Sequence, residues 1–593
     1  MISGGLTHNS AGAILLSGVT RPQALTRTFR FGPYQADAGT GELRKRGVRI
    51  QLQDKSFEVL VVLLERPGEL VTRAELQHRL WPGGIFVDFE NSLNSAVNRL
   101  RDALCDGARH PRYIETLPRR GYRFIAPVEQ AHTARRTLAV LPFENLNHDP
   151  EQDFFADAVF DALTTELGNV RSLRVISRQS VLHLKGTRKT VPEIARDLKA
   201  DVVVEGSVLV AGGSLQITAR LVQAAPEQHL WAKAYACEMG DILTIQGRVA
   251  RDIALAVQVT LSAGEEVRLS RPRPVRLQAH LDYLKARHLM DQNSRDGFQK
   301  GFQCLQTALA KDPSHALAHS HLAECYSLLG FWGHMPISEA YPKAKELASR
   351  AVALDDGLSC AHSMLGWVSW MRDWDMTKCE AEVCRAIQLN PSDEHARVTY
   401  AVFLAVARAD TQAVEEIEIA LDLDPLSLHV NSSAAWVHLF LKDYQRAVQQ
   451  ARATLDLYPD SLQGCYVLGC AEVGLSRFPE AIQAFEKAAA ISADSLSLGY
   501  LGHAYARAGQ TEAALSVGDE LLARLKRGYV AIKPFVYLYA GLGERDRAFE
   551  WIEKAFEQRD PMLFWLRSVP CYEPLRADPR FEDMARRIGL PRR

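Results

Sequence analysis

The residues best equipped for chemistry are Asn94, Ser95, Asn98 and Arg101, spaced through NSLNSAVNRLRDAL (Asn91–Leu104), and the pair Arg119-Arg120 within YIETLPRRGYRF. A side-chain amide pairs bidentately with the edge of adenine and a guanidinium with that of guanine, so this set suits reading a base sequence rather than making or breaking bonds. Arg99 is placed for phosphate and Thr116 for a backbone contact. Arg119 and Arg120 suit a narrow minor groove of high negative potential. Taken singly, arginines on an exposed helix are merely solvated; only the elements that carry them turn the set into an interface.

Those elements are legible. Leu93, Val97, Leu100 and Leu104 recur at helical spacing, so Asn91–Leu104 has one face to pack and another to present. About ten residues later, two β-prone arms flank Pro118-Arg119-Arg120-Gly121, which predicts a hairpin with a basic turn. Upstream, FRFGPYQADAG, GELRKR and VRIQLQ alternate as short strands and predict a small antiparallel sheet. KSFEVLVVLLE (Lys55–Glu65) predicts an apolar helix stopped by Arg66-Pro67-Gly68. The spacing Thr72 to Glu75 is a capping box opening TRAELQHRLW, and GGIFVDFE leads into the Asn91–Leu104 helix.

In this order and spacing, LVTRAELQHRLW, V-D-x(8)-V-N-R-L-R-D-A-L and YIETLPRRGYRF resemble the winged-helix effector domain of OmpR/PhoB-type transcriptional regulators, over about Phe29–Pro127. The resemblance implies a third helix in the major groove of double-stranded DNA and a hairpin wing in the adjacent minor groove. It implies DNA contacts at Asn94, Ser95, Asn98, Arg99, Arg101, Thr116, Arg119 and Arg120, with Leu93, Val97, Leu100, Tyr122 and Phe124 in the core. In the common response regulators a receiver precedes this domain; the 26 residues ahead of it here are too few for one and read as a flexible leader or an overlong start. An alternative is a scaffold in which the winged helix contacts the transcription machinery, for example RNA polymerase through the GGIFVDFE loop.

Bulk properties agree with a multidomain chain. A length of 593 residues predicts three to five folding units. The formal net charge is −1, which says nothing about nucleic acid, yet Arg27–Val128 holds 17 Lys+Arg against 12 Asp+Glu. A basic head on a near-neutral body suits local phosphate contact. Ten cysteines lack zinc or disulfide spacing and read as reduced core thiols of a cytoplasmic protein. No signal peptide and no apolar run of spanning length stands out.

Residues 129–136 read as a polar linker, and 137–262 as an α/β domain with a mixed sheet. TLAVLPF is a buried strand, followed by an amphipathic helix with Phe155, Val159, Leu163 and Leu167 at intervals of four. LPFENL, DVVVEGSV and ITARLVQA resemble the TolB-amino-terminal-like segment found between winged-helix and repeat domains in bacterial regulators. A nucleotide-binding signalling module is the competing reading, but His183–Lys189 lacks the phosphate-loop arrangement. Glu205-Gly206-Ser207 lacks the second glycine of a nucleophile elbow and reads as a turn between strands. Asp149, Glu151, Asp153 and Asp157 are explained by a helix start.

After a second linker (263–276) the chain repeats. Ala308, Ala351, Ala386, Ala420, Thr454, Ala488, Leu522 and Ala555 are equivalent positions, with successive intervals of 43, 35, 34, 34, 34, 34 and 33. That is the tetratricopeptide period. Asp312-Pro313, Asn390-Pro391, Asp424-Pro425, Tyr458-Pro459 and Asp560-Pro561 end helices at one phase. The long first interval predicts that GFWGHMPISEAYP inserts between two helices, and the tail reads as a cap. Residues 277–593 therefore resemble an all-α tetratricopeptide solenoid with a groove for a protein or peptide partner. Trp367, Trp370, Trp374, Trp436 and His438 belong to that groove or to the core.

The sequence thus predicts a cytoplasmic, sequence-specific DNA-binding transcriptional regulator of bacterial type, not an enzyme, with no cofactor and no metal. Its fold class is α+β winged helix, then an α/β mixed-sheet domain, then an all-α solenoid. Oligomers on DNA would supply the specificity that one small module lacks.

Overall fold

A computed structural model describes residues 27–590, apart from 81–88, 108–110, 133–135, 262–264, 270–274, 291–294 and scattered gaps of one or two residues that include Arg119. The GGIFVDFE loop before the third helix therefore lies almost wholly outside the described residues. The chain forms two compact units, Met1–Arg135 and Arg136–Arg593. Among the described residues, no helix is long and apolar enough to cross a membrane.

The first unit opens with strands β1 (Arg27–Phe31), β2 (Tyr34–Asp37), β3 (Glu42–Lys45) and β4 (Val48–Ile50), successive antiparallel neighbours. Helices α1 (Asp54–Leu64), α2 (Arg73–Leu80) and α3 (Phe89–Leu104) follow, with β5 (Leu70–Thr72) between the first two. Strands β6 (Ile114–Leu117) and β7 (Gly121–Phe124) form the hairpin, and β7 also pairs with β5. Leu60, Leu63, Leu93, Val97, Leu100 and Phe124 are all buried in one core. Residues 129–132, expected within a linker, instead form β8 (Glu129–His132) on the far side of β1, where the unpaired edge of that strand accepts a partner.

The second unit starts on a sheet in the order β11-β9-β12-β13-β14. These strands are β9 (Arg136–Val140), β11 (Leu173–Val175), β12 (Val202–Ala211), β13 (Ser214–Gln223) and β14 (Gln228–Glu238), with the short β10 (Glu144–Asn145) beside β12. Helices α4 (Asp153–Gly168), α5 (Arg178–Leu182), α6 (Val191–Asp197) and α7 (Ile242–Ala256) complete this α/β region. Glu205-Gly206-Ser207 is not a turn: it lies within β12, paired in unbroken register with Arg220, Ala219 and Thr218. A Cβ at Gly206 would stand 2.3 Å from the Phe143 ring and 2.3 Å from Thr218 O, so the glycine is there for close packing.

Eight helical pairs then stack among the described residues: α8–α9 (Leu277–Met290, Arg295–Lys311), α10–α11 (Ala316–Phe331, Ile337–Leu354), α12–α13 (Ser359–Asp373, Met376–Leu389), α14–α15 (Glu394–Phe403, Gln412–Leu423), α16–α17 (Leu428–Phe440, Tyr444–Leu457), α18–α19 (Leu462–Gly474, Phe478–Ile491), α20–α21 (Ser495–Arg507, Thr511–Arg527) and α22–α23 (Lys533–Leu542, Arg545–Glu557). The long first interval is only partly an insertion between helices: residues 332–336 connect a 16-residue α10 to α11. The rest lengthens α10 and α11, the latter to 18 residues with Pro342 inside the helix. The repeat positions are buried except Leu522, which is 38% exposed beside the fully buried Leu521. The 17-residue α21 slips the register by one residue there. Short 3-10 turns at Pro561–Trp565 and Pro570–Leu575 and helix α24 (Pro579–Arg587) close the array.

Candidate nucleic-acid interface

Helix α3 buries Leu93, Ala96, Val97, Leu100 and Leu104 and exposes Ser95, Asn98, Arg99 and Asp102. The exposed four follow i, i+3, i+4, i+7 and make one continuous stripe. Arg99 hydrogen-bonds the neutral Gln53 side chain and so keeps its positive charge available.

The other polar residues of α3 turn toward the hairpin. Arg101 is 8% exposed. Its Nη2 donates to Ile114 O at 2.9 Å and to Thr116 Oγ1 at 2.7 Å. The guanidinium is thus turned onto the hairpin, and Arg101 does not stand on the exposed side of α3 from which a base-reading role was expected of it. Asn94 is half-buried and similarly engaged: its Oδ1 accepts from Tyr122 OH at 3.0 Å and from Arg73 Nη2 at 3.2 Å. The Arg73 guanidinium also lies 5.3 Å from the Tyr122 ring centroid. Thr116 is exposed on β6 and holds Arg101, and Arg120 is exposed at the turn. Arg119 lies outside the described residues.

Three anchors went unnoticed in the sequence. Asp106 accepts from the backbone N–H groups of Arg112 at 2.6 Å and Ile114 at 2.8 Å, fixing the start of β6. Tyr34 OH donates to Leu104 O at 2.7 Å and caps the end of α3. Arg73 N donates to Arg120 O at 3.2 Å, tying the wing to the start of α2. Their partners are distant in sequence or lie in the main chain, which no residue pattern displays. The capping box is formed as expected: Glu75 N donates to Thr72 Oγ1 at 3.2 Å, and Thr72 N to Glu75 Oε2 at 2.8 Å. The Thr72 backbone N–H and hydroxyl hold the Glu75 carboxyl below its usual range.

At the wing, a Cβ on Gly121 would stand 2.0 Å from Val71 O, so only glycine lets β7 run against β5. The result is a three-helix unit with its hairpin fastened to α3 by side-chain hydrogen bonds, an exposed amide, hydroxyl and guanidinium stripe, and a basic turn beside it. Among the described residues, Asp393, Glu394 and His395 in the second unit are the one group with metal-ligand spacing, their ligand atoms within 4.8 Å of one another. Their oxygens are already engaged. Asp393 caps Ala396 N at 2.9 Å and accepts from Ser359, and Glu394 meets His395 at 3.1 Å.

This geometry is that of a winged helix-turn-helix, and residues 47–124 match the family described as "Transcriptional regulatory protein, C terminal". The first unit thus holds a DNA-binding domain of the OmpR/PhoB type. The chain is 32% identical to "Putative adenylate cyclase 3" of Rhizobium meliloti over 246 residues, 41% of this chain and 42% of that protein. It is 23% identical to "Transcriptional regulator HilA" of Salmonella typhimurium over 411 residues, 67% of this chain and 71% of that one. It is 33% identical to "Cholera toxin transcriptional activator" of Vibrio cholerae over 125 residues, 21% of this chain and 42% of that one. The chain therefore spans less than half of the first of these relatives and about seven-tenths of the second. Behind the DNA-binding domain stand a mixed-sheet region and a tetratricopeptide-like helical array.

Proposed function

We propose that the protein is a cytoplasmic, sequence-specific transcriptional regulator that is not an enzyme, and whose solenoid takes a protein or peptide partner. Ser95, Asn98 and Arg99 would enter the major groove, with Asn98 reading a base and Arg99 meeting phosphate. Arg119 and Arg120 would reach into the minor groove. Asn94, Arg101 and Thr116 hold the hairpin at a fixed angle to α3, so groove and wing contacts are made together. The domain limits 27–128, 137–262 and 277–593 and a contact of residues 83–90 with RNA polymerase belong to the same reading. The observation that carries it is the exposed stripe on α3 beside a wing clamped by Arg101 and Asn94. Selection of duplexes from a random pool by the full chain tests it. A reproducible enriched motif is expected, and a pool that stays random after repeated rounds overturns the reading.

A further inference from the structure

The first helices of four neighbouring pairs face one large cavity, about 1070 Å³ in volume, inside the second unit. Each presents the same gradient along its axis. On α10, His321 and Glu324 give way to Leu328 and Phe331; on α16, His429 and Ser433 give way to Trp436 and Phe440. On α12, Ser359 and Ser363 precede Met364 and Trp367, and on α14, Glu394 and His395 precede Val398 and Val402. Parallel stacking sums these into a cavity with a polar end and an aromatic end, His429 and Phe440 being about 16 Å apart along α16 at 1.5 Å per residue.

Other parts of the same unit border both ends. The α/β region covers the polar end: Val175 N donates to Ser392 Oγ at 3.3 Å, Ser177 N to Leu423 O at 2.9 Å and Leu426 N to Ser180 Oγ at 2.8 Å. The aromatic end is bordered by Trp565, stacked on Phe440 with centroids 5.0 Å apart. The volume lies just above the range of about 300–1,000 Å³ usual for drug-sized ligands.

The polar end contains committed and uncommitted groups. Asp161 lies 3.2 Å from Arg178 and 3.6 Å from Arg287, and Glu394 pairs with His395. Glu324, in contrast, makes no hydrogen bond or ion pair among the described residues. His321 uses Nδ1 on Leu317 O at 3.0 Å, leaving Nε2 as an acceptor. His429 stacks on His395 at 5.1 Å and makes no hydrogen bond among the described residues. Burial pushes His321 and His429 down to about 4, so both are neutral at pH 7. For Glu324, burial is outweighed chiefly by the His395 and Arg287 cations, so its carboxyl lies below the usual range and is ionised. The open acceptors are thus the Glu324 carboxylate and His321 Nε2, beside the His395 imidazolium, which Glu394 holds up at about 10 against its burial.

We propose that this cavity binds a small organic molecule with a hydrogen-bond-donating amine head, held by Glu324, His321 and His429, and an aromatic or aliphatic tail against Trp436 and Phe440. Because the α/β region and the solenoid share its walls, the bound molecule fastens the two together. The site lies wholly in the second unit and stands or falls independently of DNA binding.

Titration calorimetry of the full chain with 4-phenylbutylamine and with its acceptor-headed counterpart 4-phenylbutyrate tests the assignment. The amine should bind saturably with one site per chain and the carboxylate at least about tenfold more weakly, the loss expected when a buried charged acceptor finds no donor. Glu324→Gln should weaken the amine about tenfold or more while keeping the unliganded melting temperature, and Trp436→Leu should weaken it through the tail. No saturable binding of the amine, equal binding of both probes, or an amine affinity unchanged in Glu324→Gln would each overturn the proposal.

Discussion

Asn98 and Arg101 sit three residues apart on one helix and are expected to respond differently to the same substitution. Asn98 is exposed, so Asn98→Ala should relax preference at one base pair, by about 1–3 kcal/mol, with little change in stability. Arg101→Ala should leave Ile114 O without its side-chain donor, destabilise the first unit by about 1–3 kcal/mol and weaken binding alike on every duplex. Competition binding with single-base variants of a selected site, paired with thermal melts, separates the two. A changed base preference in Arg101→Ala would contradict the positioning role. Residue types and helical spacing disclosed the polar side of α3 and the basic turn. They did not disclose which polar residues the hairpin covers, because that depends on a chain that returns 13 residues later and on anchors such as Asp106 that bind the main chain.

At the level of elements, helices and most strands were legible because apolar periodicity and cap residues are local signals: α1, the Thr72–Glu75 box and the proline stops all stand where patterning puts them. The misses are non-local. Strand β8 pairs with a strand about 100 residues earlier, with Arg27 opposite His132. The Leu521 register slip comes from a helix longer than its neighbours. Gly206 looked like turn punctuation, yet its role is to admit Phe143. Gly206→Ala should therefore destabilise the second unit by about 1–3 kcal/mol, measured as a lowered melting temperature; an unchanged melt would mean that Phe143 moves aside freely. A second test concerns His503, fully buried, with Nδ1 2.9 Å from Tyr537 O. Burial pushes it down to about 4 against an ordinary 6.5. A group depressed on folding contributes stability above its unfolded pKa and loses it as pH falls through the folded one, so the contribution should fade between pH 6.5 and 4. Asp424, raised by burial to about 6, acts in the opposite sense below that pH. The clean measurement is thus the difference in melting temperature between pH 7 and pH 5, which should be smaller in His503→Gln than in the unmodified chain. Equal differences would contradict the assignment.

For the molecule as a whole, the period of about 34 residues and the prolines at one phase announced the solenoid, and the helix-plus-wing order announced the DNA-binding domain. The amphipathic cavity was far less legible. Trp367 and Trp436 do line it, whereas Trp370 is fully buried and Trp374 packs on Phe556 at a left-handed helix end. Sequence periodicity marks all four alike, and only the stacking of successive helices decides which side faces inward. On the proposed function the two units divide the work: a compact reader whose wing is held to its third helix, and a larger unit that receives what governs it.

Sequence reading by the first unit through α3, with phosphate contact through basic side chains beside it, is tested most directly by fluorescence anisotropy of the full chain on a selected duplex and on its scrambled counterpart across a series of KCl concentrations. The expected affinity is at least about a thousandfold higher for the selected duplex. A steep linear fall of log affinity with log salt is also expected, with a slope that shrinks by about one in Arg120→Ala. Equal affinity for the two duplexes, or an affinity indifferent to salt and to Arg120→Ala, would contradict this reading.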